Sequence, residues 1–152
     1  MTLRRTSTLK PSPRPRRRPA RNTGPTPAQR AMVAERAAYR CELCGILLHD
    51  GTTWSTEHSF HHRLPRGMGG TSSKDANNPP RLLLVCGTGT TGCHGFIESH
   101  RTSAEQEGWL VRHGLDPADV PVTVYAGPYA SAHTFTRRVL LTPAGDYQEV
   151  AA

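Results

Sequence analysis

The alternation of apolar and polar positions divides the chain into a polar start and a patterned body. Residues 1–25 hold few apolar side chains, too few to offset the entropy of ordering the segment, and we predict a disordered tail there. From residue 26 the pattern changes. Thr26 and Pro27 form a helix start, an N-cap followed by proline at the first helical position, and the apolar positions that follow predict a helix leading to Cys41.

The middle of the chain predicts strands followed by a helix. Residues 46–64 read as a hairpin with an Asp50-Gly51 turn and a second strand through His62. The run PPRLLLVC predicts a short buried strand, and CHGFIESHRTSAEQEG predicts a helix that Gly108 ends. The expected order is therefore strand, loop, strand and helix.

The last third predicts two or three more strands joined by glycine and proline turns, in VTVYAG and TFTRRVLLTPAGDYQEV. The predicted fold class is α+β, with a core at residues 26–110 and a β-rich extension at residues 111–152 packed on it. Four aromatic residues are expected in the core rather than as base-stacking platforms: Trp54, Phe60, Phe96 and Trp109.

The charge is concentrated in the tail. The chain carries a net charge of +7, and residues 1–21 hold eight basic side chains and no acidic one, which leaves the body nearly neutral. Such a tail either strengthens association with DNA or only keeps the protein in solution. The sequence has no apolar stretch of the kind found in secretory signals or membrane spans, so we expect an intracellular protein without membrane contact.

The four cysteines form two local pairs. Cys41 and Cys44 are separated by two residues, and Cys86 and Cys93 by six. Four thiolates in two pairs predict a structural Zn²⁺ site, with disulfides or a dithiol redox centre as the alternatives. A reducing compartment disfavours the disulfides.

Two adjacent histidines indicate a division of labour. Neighbouring side chains on a strand point to opposite faces, so His61 and His62 are not equivalent ligands of one ion. Hydrolysis of a phosphodiester needs an imidazole base and a metal ion that neutralises the leaving oxygen. We therefore expect His62 to be the base, and His61 to share a metal site with His94. His58, on the face of His62, could orient or replace the base, and Arg63 and Arg66 are expected to contact phosphate.

These motifs together resemble the HNH, or ββα-metal, endonucleases, in particular small phage-encoded members with a zinc knuckle. The resemblance covers about residues 26–110 and rests on CELC, HHRLPRGMGG and LLLVCGTGTTGCHG. It implies a ββα-metal core, His62 as general base, His61 and His94 as ligands of a catalytic Mg²⁺, Mn²⁺, Ni²⁺ or Zn²⁺, and the four cysteines as zinc ligands. It further implies hydrolysis of phosphodiester bonds in double-stranded DNA, by nicking or by double-strand cleavage. The phage members act with terminase subunits in the bacterial cytoplasm during genome packaging, and homing or restriction roles also occur in the family.

One position departs from the family pattern. The middle asparagine of the family, five residues before the third cysteine, is Arg81 here, while Asn77 and Asn78 lie just upstream. Either Arg81 fills the position as a donor only, which we expect, or an upstream asparagine replaces it. The altered position keeps a second function open, a non-catalytic zinc-knuckle protein that binds nucleic acid. A toxin nuclease domain is a weaker third possibility.

Overall fold

The computed structural model describes residues 23–55, 57–66, 73, 75–127 and 135–150. The fold is mixed α+β, as predicted. In chain order the elements are α1 (Pro27–Arg36), β1 (His58–His62), β2 (Leu82–Cys86), α2 (Gly92–Ser99), α3 (Arg101–Gln106), β3 (Val122–Tyr125), β4 (Thr136–Leu141) and β5 (Tyr147–Glu149). The predicted disorder of the tail falls on residues 1–22, which lie outside the described residues.

The start of α1 confirms the predicted helix start. The Thr26 hydroxyl accepts from the Gln29 backbone N–H, the Gln29 side chain accepts from the Thr26 N–H, and Pro27 occupies the first turn. The helix ends at Arg36, before the predicted end. Ala38 and Tyr39 then adopt positive φ angles of 46° and 59°, which turn the chain toward the cysteines.

The predicted hairpin is wrong in its pairing. The Asp50 turn is present, with Asp50 Oδ1 accepting from the backbone N–H groups of Thr52 and Thr53. However, β1 pairs antiparallel with β2, with His62 opposite Leu82. The reason is burial: residues 82–85 are fully buried, whereas Ile46 and Leu47, the expected partner strand, are nearly half exposed. Pairing with β2 therefore places β1 on the core.

The helix predicted after the last cysteine is divided in two. His100, with φ −120° and ψ 55°, separates α2 from α3, and Gly108 with φ 72° follows the end of α3. The α2 helix contacts β2. Two antiparallel strands and a helix on their face thus form the middle of the fold.

The carboxyl-terminal strands contribute to the same hydrophobic core as β2. Strands β3, β4 and β5 form an antiparallel sheet in that order. Val122, Val124, Val139 and Leu141 from this sheet are buried in one cluster with residues 82–85. Among the described residues, no helix has the length and apolar character needed to cross a membrane.

A buried ionic network ties the extension to the CELC segment. Glu42 forms a bidentate ion pair with Arg36 of α1: Arg36 Nε donates to Oε1 at 2.9 Å and Nη2 donates to Oε2 at 3.0 Å. It also accepts from the Tyr147 hydroxyl at 2.7 Å and from the Leu84 backbone N–H at 2.7 Å. Helix α1, strand β2 and strand β5 therefore all contact Glu42, the residue that follows Cys41.

Candidate functional site

The four cysteines converge on one point. The sulfurs of Cys41, Cys44, Cys86 and Cys93 all lie within 4.8 Å of one another, and none is in a disulfide. Cys44 Sγ lies 3.8 Å from Cys86 Sγ. Tetrahedral zinc with Zn–S bonds of about 2.3 Å requires sulfurs roughly 3.8 Å apart, so the spacing fits such an ion. The cluster could hold a structural metal ion such as zinc.

Hydrogen bonds within the cluster hold the four thiols together. The backbone N–H of Cys93 points at Cys86 Sγ at 3.4 Å. Hydrogen bonding from Cys41 lowers the pKa of Cys44 far below the ordinary thiol range and that of Cys86 to about 6. Hydrogen bonding with Cys44 raises the pKa of Cys41, and in Cys93 the lowering by Cys41 is outweighed by the bond with Cys44 and by burial, which raise the pKa. Gly87 allows the chain to turn between Cys86 and Cys93. Its φ is 83°, and a Cβ there would lie 2.1 Å from the Thr91 carbonyl oxygen.

A second group of possible ligands lies between β1 and α2. His61, His94 and Glu98 bring their ligand atoms within 4.8 Å of one another. His61 Nδ1 and His94 Nε2 each lie 3.9 Å from Glu98 Oε1. Metal bonds of about 2.1 Å place neighbouring ligand atoms roughly 3.0–3.4 Å apart, so a small contraction would suffice.

The state of the two imidazoles fits a metal site. His61 Nε2 lies 3.2 Å from the Trp109 carbonyl oxygen, to which it donates, so Nδ1 carries the lone pair and faces Glu98. Burial, with His94 close by, lowers the pKa of His61 to about 3, and burial also lowers the pKa of His94. Both rings are therefore neutral at neutral pH, the form that binds metal. His94 Nδ1 is buried without a hydrogen-bond partner among the described residues.

Glu98 was not predicted from the sequence, although a signal for it exists. It stands four residues after His94, and residues four apart share a helix face. The carboxylate is 41% exposed and lies 3.3 Å from Arg101 Nη1. His94 and Glu98 both lie on α2, and their four-residue spacing places both side chains near His61.

The ring of His62 is held by an asparagine. His62 Nε2 lies 2.9 Å from Asn77 Oδ1, and Asn77 Nδ2 donates to the Thr23 carbonyl oxygen at 3.1 Å. The second bond fixes the amide with its oxygen toward the ring, so Nε2 donates to it and carries the proton. Arg66 Nη1 lies 3.4 Å from the same Nε2, and we assign the tautomer by the shorter contact to Asn77. Nδ1 of His62 then holds the lone pair that a general base needs. Burial lowers the pKa of His62, and the nearby Arg66 adds to this.

The role expected of Arg81 concerns the loop after His62, and residues 67–72 of that loop lie outside the described residues. The side chain that bonds to His62 belongs to Asn77, one of the two upstream asparagines. Asn78 instead donates to Asp75 Oδ1 at 3.2 Å. Arg81 lies in the 3₁₀ turn Pro79–Arg81 before β2, and its backbone carbonyl accepts from the Arg63 N–H at 2.9 Å.

The prediction that Arg63 contacts phosphate is wrong. Its side chain is fully buried. The guanidinium donates to four backbone carbonyl groups, at distances of 2.8–3.0 Å: those of Pro80, Gly108, Pro117 and Val120. Arg63 is one residue from His62, so it anchors the end of β1 in the core.

Arg66 borders the candidate site, and its guanidinium is hydrogen-bonded within the chain. It lines a cavity of about 310 Å³ together with His61, His62, His94 and Glu98. Arg66 Nη2 also donates to the Thr23 hydroxyl and carbonyl oxygens at 2.7 and 2.8 Å. Residues 23–25 belong to the predicted tail, yet Thr23 is bound at the rim of this cavity.

His58 and two of the aromatic residues lie outside their predicted positions. The His58 ring stacks on Trp54, with centroids 4.5 Å apart, and its Nδ1 contacts the Ser55 carbonyl oxygen. His58 therefore belongs to a different cluster from His62. Trp54 and Phe96 are 37% and 44% exposed, so their assignment to the core is wrong, while Phe60 and Trp109 pack against it.

No protein-family model, curated protein or solved structure matches the chain.

Proposed function

We propose that the protein is a metal-dependent DNA endonuclease that hydrolyses phosphodiester bonds with the middle of the fold acting as a ββα-metal core. The observation that carries the proposal is the convergence of two chemistries in one cavity. His62, with a defined tautomer, lines the same cavity as the group His61, His94 and Glu98. A base and a metal site side by side are what hydrolysis of a phosphodiester requires.

The chain's own residues divide the work. His62 Nδ1 takes the proton from the attacking water, while Nε2–H stays bound to Asn77 and holds the ring in place. His61, His94 and Glu98 would hold a divalent ion, which supplies positive charge to the phosphoryl and leaving oxygens. Arg66 and Arg101, which line the same cavity, attract the phosphates on either side of the scissile bond.

Supercoiled plasmid tests the proposal directly. Relaxed or linear product should appear with Mg²⁺, Mn²⁺, Ni²⁺ or Zn²⁺. His62→Ala should lower the rate by about 10²–10⁴-fold because the base is lost, while metal and DNA affinity stay close to wild type. If His62→Ala instead loses metal and His61→Ala keeps it, the two roles are reversed.

The third ligand has a matched control on the next helix. Glu98→Gln should weaken binding of the catalytic ion by about tenfold or more, because a carboxylate ligand is lost. Glu105 is also paired with an arginine, Arg112, but lies outside the cavity, so Glu105→Gln should leave affinity unchanged. Calorimetric titration of the zinc-loaded protein with Mn²⁺ measures both. Equal affinity of the two variants would remove Glu98 from the site.

The plasmid assay also distinguishes an endonuclease from the alternative function. A non-catalytic zinc-knuckle protein would bind DNA and give no product with any of the four ions. Its main support in the sequence was the missing family asparagine, and the contact from Asn77 to His62 weakens that support. Action beside a phage terminase follows from the family resemblance alone and stays a prediction.

A further inference from the structure

A groove lined by aromatic rings borders the candidate nuclease cavity. We call it the aromatic groove and define it by Arg30, Tyr39, His49, Trp54, His58 and Phe60. Its volume is about 500 Å³, within the range of roughly 300–1,000 Å³ usual for ligand pockets. Trp54 and Tyr39 are each more than one third exposed. Exposed aromatic rings in a concave surface indicate a site for a ligand with flat faces.

The rings of the groove pack against one another, and one pair of them is stacked. Trp54 lies against His58 with centroids 4.5 Å apart and an angle of 23° between the rings. His49 lies 4.8 Å from Trp54 and 5.3 Å from Tyr39, and both of these pairs are tilted, at 58° and 36°. The contacts hold Trp54 in place while more than one third of it stays exposed to a ligand.

The groove is continuous with the candidate nuclease cavity. Phe60 lines both of them. Phe60 and His62 are two residues apart on β1, about 7 Å along a strand. A nucleotide next to a phosphate bound at His62 can therefore reach the groove.

The charge around the groove suits a polyanion. The Arg30 guanidinium lies 5.8 Å from the centre of the Phe60 ring, at the wall of the groove. Pro27, at the start of α1, also lines it, and the segment with eight basic residues ends at Arg21, six residues earlier. A phosphate beside a bound base would thus meet the positive charge of Arg30.

From these observations we propose that the aromatic groove binds an unpaired nucleobase next to the scissile phosphate. Bases in an intact duplex cover one another's faces, whereas an unpaired base offers a free face to an aromatic ring. The proposal rests on the proposed nuclease function and specifies its substrate class as DNA with single-stranded, gapped or frayed segments.

Binding without added divalent ion tests the groove separately from cleavage. Three fluorescently labelled probes of equal length serve: oligothymidylate, an abasic oligomer with the same charge, and a duplex. Wild-type protein should prefer oligothymidylate to both others. Trp54→Leu should lower that affinity about tenfold and leave binding of the abasic oligomer unchanged. Leu115 is an exposed apolar residue outside the groove, and Leu115→Ala should behave as wild type.

Trp54 also provides a signal that does not require a change in the groove. The chain has two tryptophans, so in Trp109→Phe the emission comes from Trp54 alone. Oligothymidylate should quench it and the abasic oligomer should not.

Two results would overturn the proposal. One is unchanged affinity of Trp54→Leu for oligothymidylate together with unquenched Trp54 emission. The other is a wild-type dimer that Trp54→Leu converts to monomer without an effect on DNA binding, which would make the groove a contact between copies of the chain. Base-dependent binding through Trp54 supports nucleobase binding in the aromatic groove whether or not plasmid is cleaved. The binding assay and the plasmid assay therefore test the two proposals independently.

Discussion

At the scale of single residues, the bond between Asn77 and His62 orients the ring of the proposed base. Asn77 Nδ2 donates to the Thr23 carbonyl oxygen, so Asn77 Oδ1 faces the imidazole and accepts the proton of His62 Nε2 in a hydrogen bond. Asn77 thus does for His62 what the Trp109 carbonyl does for His61: each fixes a tautomer through the nitrogen that takes no part in the reaction.

Removal of that amide should impair turnover more than binding. We expect Asn77→Ala to lower the cleavage rate by about 100-fold, because the ring is no longer held and a misplaced base loses rate steeply. Asn78→Ala and Arg81→Asn serve as controls and should stay near wild type, since neither side chain is bonded to His62. Single-turnover cleavage at saturating DNA measures all three. Activity lost in Arg81→Asn alone would return the role to Arg81.

The buried guanidinium of Arg63 is predicted to be a structural requirement. Arg63→Ala would leave four buried carbonyl groups without their donor, at a cost of about 3 kcal/mol or more in the free energy of unfolding. Arg112, whose side chain is 76% exposed, is the control, and Arg112→Ala should change stability by about 1 kcal/mol at most. Urea unfolding midpoints compare the two. Equal stability of the variants would contradict the anchoring role.

At the scale of elements, the cysteine cluster joins the CELC turn, the end of β2 and the start of α2. Removal of the metal should therefore unfold this region, since folding and metal binding are one free-energy change in such sites. Elemental analysis should find about one zinc per chain, and a chelator should abolish the cooperative unfolding transition. Folded and active protein without zinc would disprove the structural role.

The elements that the sequence predicted are those with local signals. The cap at Thr26 and the buried run of β2 need no distant partner to be recognised. The burial of Arg63 and the contact of Asn77 depend on segments up to 57 residues away, and long basic side chains are ordinarily exposed. Their roles follow from tertiary structure, whereas the four-residue step from His94 to Glu98 was visible in the sequence.

At the scale of the whole molecule, the basic segment immediately precedes Thr23, which is hydrogen-bonded to Arg66 and Asn77 of the candidate site. Deletion of residues 1–21 removes eight positive charges and keeps Thr23 in place. DNA affinity should fall most at low salt, and the slope of log affinity against log salt should become shallower. Turnover at saturating DNA should persist, because no proposed catalytic residue is lost. An unchanged slope would show that the segment does not touch DNA.

The binding of Thr23 at the rim of the cavity matters for how the protein is prepared. A polyhistidine tag fused at the amino terminus would be joined to a segment of 22 residues that ends beside His62. Such a segment, fully extended, spans up to about 75 Å, so the tag's imidazoles could reach the cavity. They would compete with His61, His94 and Glu98 for the ion and mask differences between ligand variants. Metal titrations therefore call for a chain from which any such tag has been removed.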